Sequence, residues 1–175
     1  MGYVHDPYFC QFIPPTVAYG TVATWAMGAG EVTGTLVYAC DATDEAAVLH
    51  IPLIVPSHLP DGAGVAVKGA MLSSIEIDFE IKTAALDAME AAIVKVKRGV
   101  DGAVAVVSEP TFTYDTGHDA AAERIDVDQH KMTLTLDEAV YVEDDEYYYV
   151  KLTIDKAATS IFQLLGAFAK FGLRA

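Results

Sequence analysis

Basic residues are scarce. Only 11 Lys and Arg stand against 25 Asp and Glu, for a formal net charge of −14. None precedes Lys68, so Asp6, Glu31, Asp41, Asp44, Glu45 and Asp61 have no compensating base in the first 67 residues. A nucleic-acid binder needs the opposite balance, to neutralise phosphates and release counterions. An anionic membrane surface repels such a chain on the same ground, so neither nucleic acid nor membrane is an expected partner. No apolar run approaches the roughly 18 residues of a membrane span. MGYVHDPYFC has neither a basic n-region nor an apolar h-region, and reads as carrying no signal peptide. Asp6 stands where a myristoylation motif takes Ser or Thr.

Cysteine is equally sparse. Cys10 and Cys40 form no CxxC and no ligand cluster. Two small buried side chains, or one disulfide tying the N-terminal segment to a strand, both fit that spacing. Absent as well are HExxH, any His pair at i, i+4, the complete calcium-loop pattern and the G-x-S-x-G elbow of a serine nucleophile.

What is present is a globular composition, 53% apolar and 21% charged, over 175 residues, enough for one core. Runs rich in Val, Thr and aromatics are broken by Gly, Asp and Pro. They read as strands at 18–26, 32–40, 47–55, 70–82, 92–98, 103–108, 130–136, 146–155 and 161–173, a spacing that marks an all-β sandwich or barrel. In LSSIEIDFEIK, Ile75, Ile77, Phe79 and Ile81 share one face and Glu76, Asp78 and Glu80 the other. Met132, Leu134 and Leu136 share a face, as do Tyr148, Val150, Leu152 and Ile154, with Tyr147 and Tyr149 turned the other way. Pro52 places its strand on an edge or at a bulge. AALDAMEAAIVKV is the one segment with helical spacing, at Leu86, Met89, Ile93 and Val96; it reads as a loop with one helical turn over 84–91, then a strand.

The N-terminal stretch YFCQFIPPTVAYG is apolar and uncharged. Pro14-Pro15 argues against helix and for an extended arm. Two readings stay open: a first strand lying on the core, or an arm over residues 1–16 that packs on a neighbouring subunit, ahead of a sandwich domain over 17–175. The candidate subunit-interface residues are Tyr8, Phe9, Phe12 and Ile13 on this segment, with Tyr147 and Tyr149.

The densest cluster of chemistry-bearing residues is YDTGHDAAAERIDVDQH. His118, Asp119, Glu123, Asp126, Asp128 and His130 are candidate metal ligands, and Asp115-Thr116-Gly117 is similar to half of an aspartic-protease signature. That chemistry needs two such aspartates sharing a proton. The favoured reading is an ordered loop: Asp115 in an Asx turn, Gly117 with positive φ, a short helical turn at Ala120–Glu123, and Glu123–Arg124 as a solvated pair. The acidic run VEDDE (142–146) reads as a tight hairpin turn or solvated loop, with a divalent-ion site as its alternative. Tyr147 and Tyr149 read as a packing or subunit surface, with sugar stacking as the alternative.

Asp115–Arg124, His130–Leu136, Asp155–Phe162 and Leu173–Arg174 together carry a resemblance. They are similar to a group of phage and metagenomic virion-associated proteins sharing D-T-G-H-D-[TA]-A-A-E-R, H-x-M-T-[VL]-T-L, D-x-A-A-T-S-[VI]-F and a closing L-R. SSIEIDFEIKTAA fits the same group, and the likeness covers roughly 68–175. It implies a single jelly-roll-like β-sandwich, a structural or capsid-decorating role in a virion, and no catalytic residue.

The expectation is therefore an all-β, single jelly-roll-like β-sandwich with an extended N-terminal arm. It is expected to be non-enzymatic, with no cofactor or metal, and to assemble with its own copies as a capsid decoration or shell component of a tailed phage, beside a major capsid protein. The alternatives are an extracellular tube, filament or shell subunit of the same fold, and a carbohydrate-binding β-sandwich module using Trp25 or the tyrosines. A metal-dependent enzyme on His118 and His130 is the remaining rival.

Overall fold

The alternation in LSSIEIDFEIK becomes a twelve-residue strand in the computed structural model of the protein, which describes residues 8–31, 34–41, 45–54, 70–99, 106–143 and 145–172. Twelve strands are described: β1 (Tyr8–Ile13), β2 (Tyr19–Thr21), β3 (Trp25–Ala29), β4 (Leu36–Cys40), β5 (Ala46–Leu53), β6 (Met71–Lys82), β7 (Ala88–Lys97), β8 (Val106–Ser108), β9 (Phe112–Tyr114), β10 (Gln129–Tyr141), β11 (Glu146–Asp155) and β12 (Ile161–Gly172). The helical elements among the described residues are two 3-10 turns, at Pro15–Val17 and Ala121–Arg124.

A seven-stranded antiparallel sheet runs β3-β4-β12-β6-β10-β9, with β1 also on β12; a five-stranded sheet runs β2-β5-β11-β7-β8. From β4 to β7 and again from β10 to β12 the chain alternates between layers, so that β4-β12-β6-β10 faces β5-β11-β7-β8. That interleaving is the jelly-roll form of a β-sandwich. The core between the layers is aliphatic and aromatic. Ile75, Ile77, Phe79, Met132, Leu134, Val150, Leu152 and Ile154, all expected inside, are at most 1% exposed. Phe79 stacks on Phe162 with centroids 5.4 Å apart. A bulge in β12 between Leu164 and Gly166 resets its alternation, so that Ala167, Ala169 and Phe171 also point inward. Gly166, at φ 156°, is required there: a Cβ would lie 2.6 Å from the Phe12 ring.

Several expectations are corrected. Residues 18–26 are two strands, β2 and β3, joined through a bend. The segment expected to loop and coil over 84–91 enters β7 at Ala88, because ten consecutive pairs with β11, from Glu146–Lys97 to Asp155–Ala88, override the helical propensity of its alanines. Pro14-Pro15 does not prevent helix: Pro15 opens a 3-10 turn, since the first helical position needs no N–H donor. β9 is an additional short strand, paired with β10 through Leu134–Tyr114. VEDDE is not a hairpin turn; Glu146 N–H closes on the Glu143 carbonyl (3.0 Å) where the chain crosses from one sheet to the other. Pro52 sits as expected, paired with Tyr149 on one side and beyond the end of β2 on the other.

Residues 8–13 of the N-terminal segment are extended and hydrogen-bond to β12 of the same chain. Ile13 is buried, and Phe9 packs on Phe171 with centroids 5.2 Å apart, so both face the chain's own core. Tyr8 and Phe12 are exposed. Both cysteines are free, Cys40 buried and Cys10 exposed, which excludes the disulfide. Residues 1–7, 55–69 and 173–175, and with them Tyr3, Asp61, Leu173 and Arg174, lie outside the described residues.

Candidate functional site

The histidine-rich loop connects β9 to β10 and is pinned from within. Asp115 accepts from the Gly117 N–H (3.0 Å), from His118 Nδ1 (2.7 Å) and from the Thr133 N–H on β10. Burial pushes the Asp115 carboxyl up, but the donors Thr133, His118 and Gly117 outweigh it and hold the group below the usual carboxylate range. His118 Nε2 meets His130 Nδ1 at 3.3 Å, and His130 Nε2 lies 2.9 Å from the Asp126 carbonyl. His130 stacks on Phe79 (4.7 Å). Both rings are buried. A carboxylate and a carbonyl only accept, so the two outer nitrogens both donate. Bonding the rings to one another takes a third N–H, one more than two neutral imidazoles supply.

All four ring nitrogens are thus engaged inside the protein, and none points at a position for substrate. Asp119 and Glu123 both cap the Ala120 N–H, each at 3.0 Å. Asp128 caps Gln129 (2.7 Å). The six candidate metal ligands form no cluster among the described residues: two are rings bonded to each other, three bond backbone within the loop, and Asp126 contributes a backbone carbonyl. Arg124 corrects the sequence reading. It is not paired with Glu123 in solvent but buried, donating to the carbonyls of His118 (2.7 Å), Asp119 (3.1 Å) and Met89 (3.3 Å) and lying 4.3 Å from the Tyr114 ring centre. Tyr114 in turn accepts from the Ala91 N–H (3.0 Å). The loop ties the strands of one sheet to β7 of the other.

The acidic crossing does bring Glu143, Asp145 and Glu146 together. Lysine ammoniums already stand among these carboxylates: Lys97 Nζ is 3.1 Å from Glu143 and 3.5 Å from Asp145, and Lys95 Nζ is 2.6 Å from Glu146. The cluster is an ion-pair network of three carboxylates and two ammoniums. Asp144 lies outside the described residues.

A different arrangement occupies the outer face of the five-stranded sheet. One row across β2, β5, β11 and β7 reads Tyr19, His50, Lys151, Ala92; the next reads Pro52, Tyr149, Val94; a third reads Tyr147, Val96, Val107. Tyr147 and Tyr19 are exposed and Tyr149 half-buried. The His50 and Tyr149 rings are 5.3 Å apart. Val94 and Val96 are buried on this outer side and are not part of the core cluster. Below the aromatic rows, Thr21, Thr153 and Glu90, with Val48 between the threonines, form a mostly polar row. Burial, and then the charge of Lys151, push His50 down from its ordinary value, so it is a neutral ring at neutral pH, both donor and acceptor. The outer face of the other sheet is charged instead: Lys131 pairs with Glu76 (2.9 Å) and Lys82 with Glu80 (3.2 Å).

The expected pair Tyr147 and Tyr149 thus sits on one face as read, and the structure adds Tyr19 and His50 from β2 and β5. Trp25 does not join them. It turns inward, stacked on Tyr38 (5.2 Å) and edge-on to Phe162 (6.1 Å). Fold and surface together define a jelly-roll β-sandwich with one aromatic and one charged outer face.

No protein-family model matches the chain, and no curated protein matches it. Among solved structures it is similar to an arabinose-bound MgGH51 α-L-arabinofuranosidase (12% identity, 91% of this chain against 25% of that one, TM-score 0.40). It is similar also to the family 11 carbohydrate-binding module of Clostridium thermocellum in complex with a β-1,3-1,4-mixed-linked tetrasaccharide (9%, 97% against 89%, TM-score 0.35). A third is the enzymatically active domain of the bacteriophage CBA120 tailspike protein 4 (9%, 92% against 19%, TM-score 0.38). The chain thus spans a quarter of the arabinofuranosidase. At these identities and scores no role is transferred.

Proposed function

We propose that this chain is a non-catalytic carbohydrate-binding β-sandwich module, and that its binding face is the outer side of the five-stranded sheet. The observation that carries this is the row of rings across three adjacent strands, Tyr19, His50, Tyr149 and Tyr147, with a mostly polar row beside it. A sugar ring has apolar C–H faces and a rim of hydroxyls. Tyrosine rings stack on the first while presenting their own hydroxyls at the margin. Tyr147 and Tyr149, two residues apart on one strand, stand about 7 Å apart, so an extended chain of sugars meets more than one ring. Neutral His50, Lys151, Thr153 and Glu90 offer donors and acceptors to hydroxyls, which both give and take hydrogen bonds. The non-catalytic part rests on the histidine loop, whose nitrogens are all engaged inside the protein. A glycan array with the purified chain tests the reading: binding to a defined set of oligosaccharides, lost in Tyr147→Ala, supports it, and an empty array refutes it.

A second reading, a structural protein assembling with its own copies on a virion, follows from the resemblance. One observation favours it: an uncharged N-terminal stretch with exposed Tyr8 and Phe12. Mass spectrometry of purified particles tests that location.

A further inference from the structure

In a chain of net charge −14 a lysine easily finds a carboxylate. Lys82, Lys95, Lys97 and Lys131 each stand within 3.1 Å of one, and Lys156 donates to the Asp41 carbonyl. Lys151 differs. It is half-buried in β11 and has no carboxylate partner among the described residues. Lys170, on the outer side of the other sheet, has none either.

Its surroundings set Lys151 apart. On the outer face of the five-stranded sheet it lies directly between His50 of β5 and Ala92 of β7, with Tyr19 beyond His50. Tyr149 and Tyr147 follow on its own strand, about 7 Å and about 13 Å away. Sugars that stack on those two rings therefore run on toward its ammonium. Ala92 is the smallest side chain in the row, so little stands beside Lys151 on the β7 side. The charged side chains that the described strands turn to this face are Lys151, Glu90 and Asp155. Both carboxylates lie beyond Lys151 from the tyrosines, at the levels of Thr153 and Asp155. The aromatic end of the face thus carries one cation and no anion. A half-buried ammonium without a counter-charge costs free energy that an arriving anion offsets. Neutral His50 adds a ring N–H beside it.

We propose that Lys151 binds the carboxylate of an acidic sugar, so that the ligand of this face is an oligosaccharide of mostly neutral residues carrying single, spaced uronic acids. The inference rests on the carbohydrate-binding reading above and names its substrate class. One ammonium balances one carboxylate. A densely charged polyanion does not fit, because Glu90 and Asp155 meet it farther along the sheet and the net charge of −14 repels it.

Calorimetric titration of the full chain with matched oligosaccharides tests it. Each pair is an oligosaccharide containing one glucuronic or galacturonic acid and its carboxyl-reduced form, which share length and linkage and differ in one carboxylate. Wild type should bind the acid form at least about tenfold tighter, the scale of one hydrogen bond to a charged group, and the preference should shrink as salt is raised. Lys151→Gln should lose the preference and keep its binding of the reduced form. Lys151→Arg should retain the preference. Lys170→Gln removes the same charge from the other sheet and should leave the preference unchanged. Equal or tighter binding of the reduced form by wild type overturns the inference and leaves the sugar reading standing. A preference that persists in Lys151→Gln, or that falls as far in Lys170→Gln, also overturns it. Binding of neither member of any pair removes the sugar reading and this inference with it.

Discussion

Replacing Asp115 with alanine removes one carboxylate and strands three donors. The Gly117 N–H is exposed and turns to water. The Thr133 N–H on β10 and the His118 Nδ1–H are partly buried and lose a charged acceptor. Hydrogen bonds to charged groups contribute about 1.5–3 kcal/mol each, so two of them, discounted for water entry, put Asp115→Ala at about 2–4 kcal/mol of lost stability. That is a large share of the ~5–15 kcal/mol that holds a typical domain. Asp115→Asn keeps one acceptor oxygen and loses roughly half as much. Urea denaturation at neutral pH reads the effect as a fall in midpoint at unchanged slope. A loss below about 0.5 kcal/mol would show that the loop is solvated and that the Asp115–His118–His130 chain does not hold β9 and β10 in place.

The same carboxyl has a folded pKa below its unfolded value, so its contribution is complete above about pH 4 and is lost as pH falls through the lower folded value; Asp115→Asn should flatten that part of the acid limb, and identical limbs would contradict it. Phe79→Ala removes a fully buried ring stacked on His130 and Phe162, and should cost about 3–5 kcal/mol; a loss under about 1 kcal/mol would mean that the cavity collapses without strain. Burial pushes the Cys40 thiol up, while Cys10 is exposed, so a thiol reagent should label one cysteine rapidly and the second only on unfolding; two fast thiols would contradict the burial of Cys40.

Most of the sandwich was legible because its central strands alternate. Ile75-Ile77-Phe79 and Tyr148-Val150-Leu152 announce both period and inward face, and a one-residue slip would put them in water. β7 was misread because Ala and Glu favour helix locally, and only its pairing with β11 decides otherwise. Arg124 was misread because a Glu-Arg pair resembles a solvated surface; one of the carbonyls that hold it in the interior, that of Met89, lies 35 residues away in sequence. The histidine loop was found from composition, but its internal bonding depends on the register that sets His130 beside Phe79. Tyr147 and Tyr149 were visible from their spacing. Tyr19 and His50 were not, since nothing local indicates that β2 and β5 lie beside β11.

The direct measurement of the central claim is a calorimetric titration of the chain with the best soluble oligosaccharide from the array, repeated with Tyr147→Ala and Tyr149→Ala. The account predicts saturable binding by wild type, weakened at least about tenfold by either substitution, the scale of losing one stacked aromatic contact, with folding stability nearly unchanged for the exposed Tyr147. Undiminished binding in both variants, or no heat with any oligosaccharide, would contradict it.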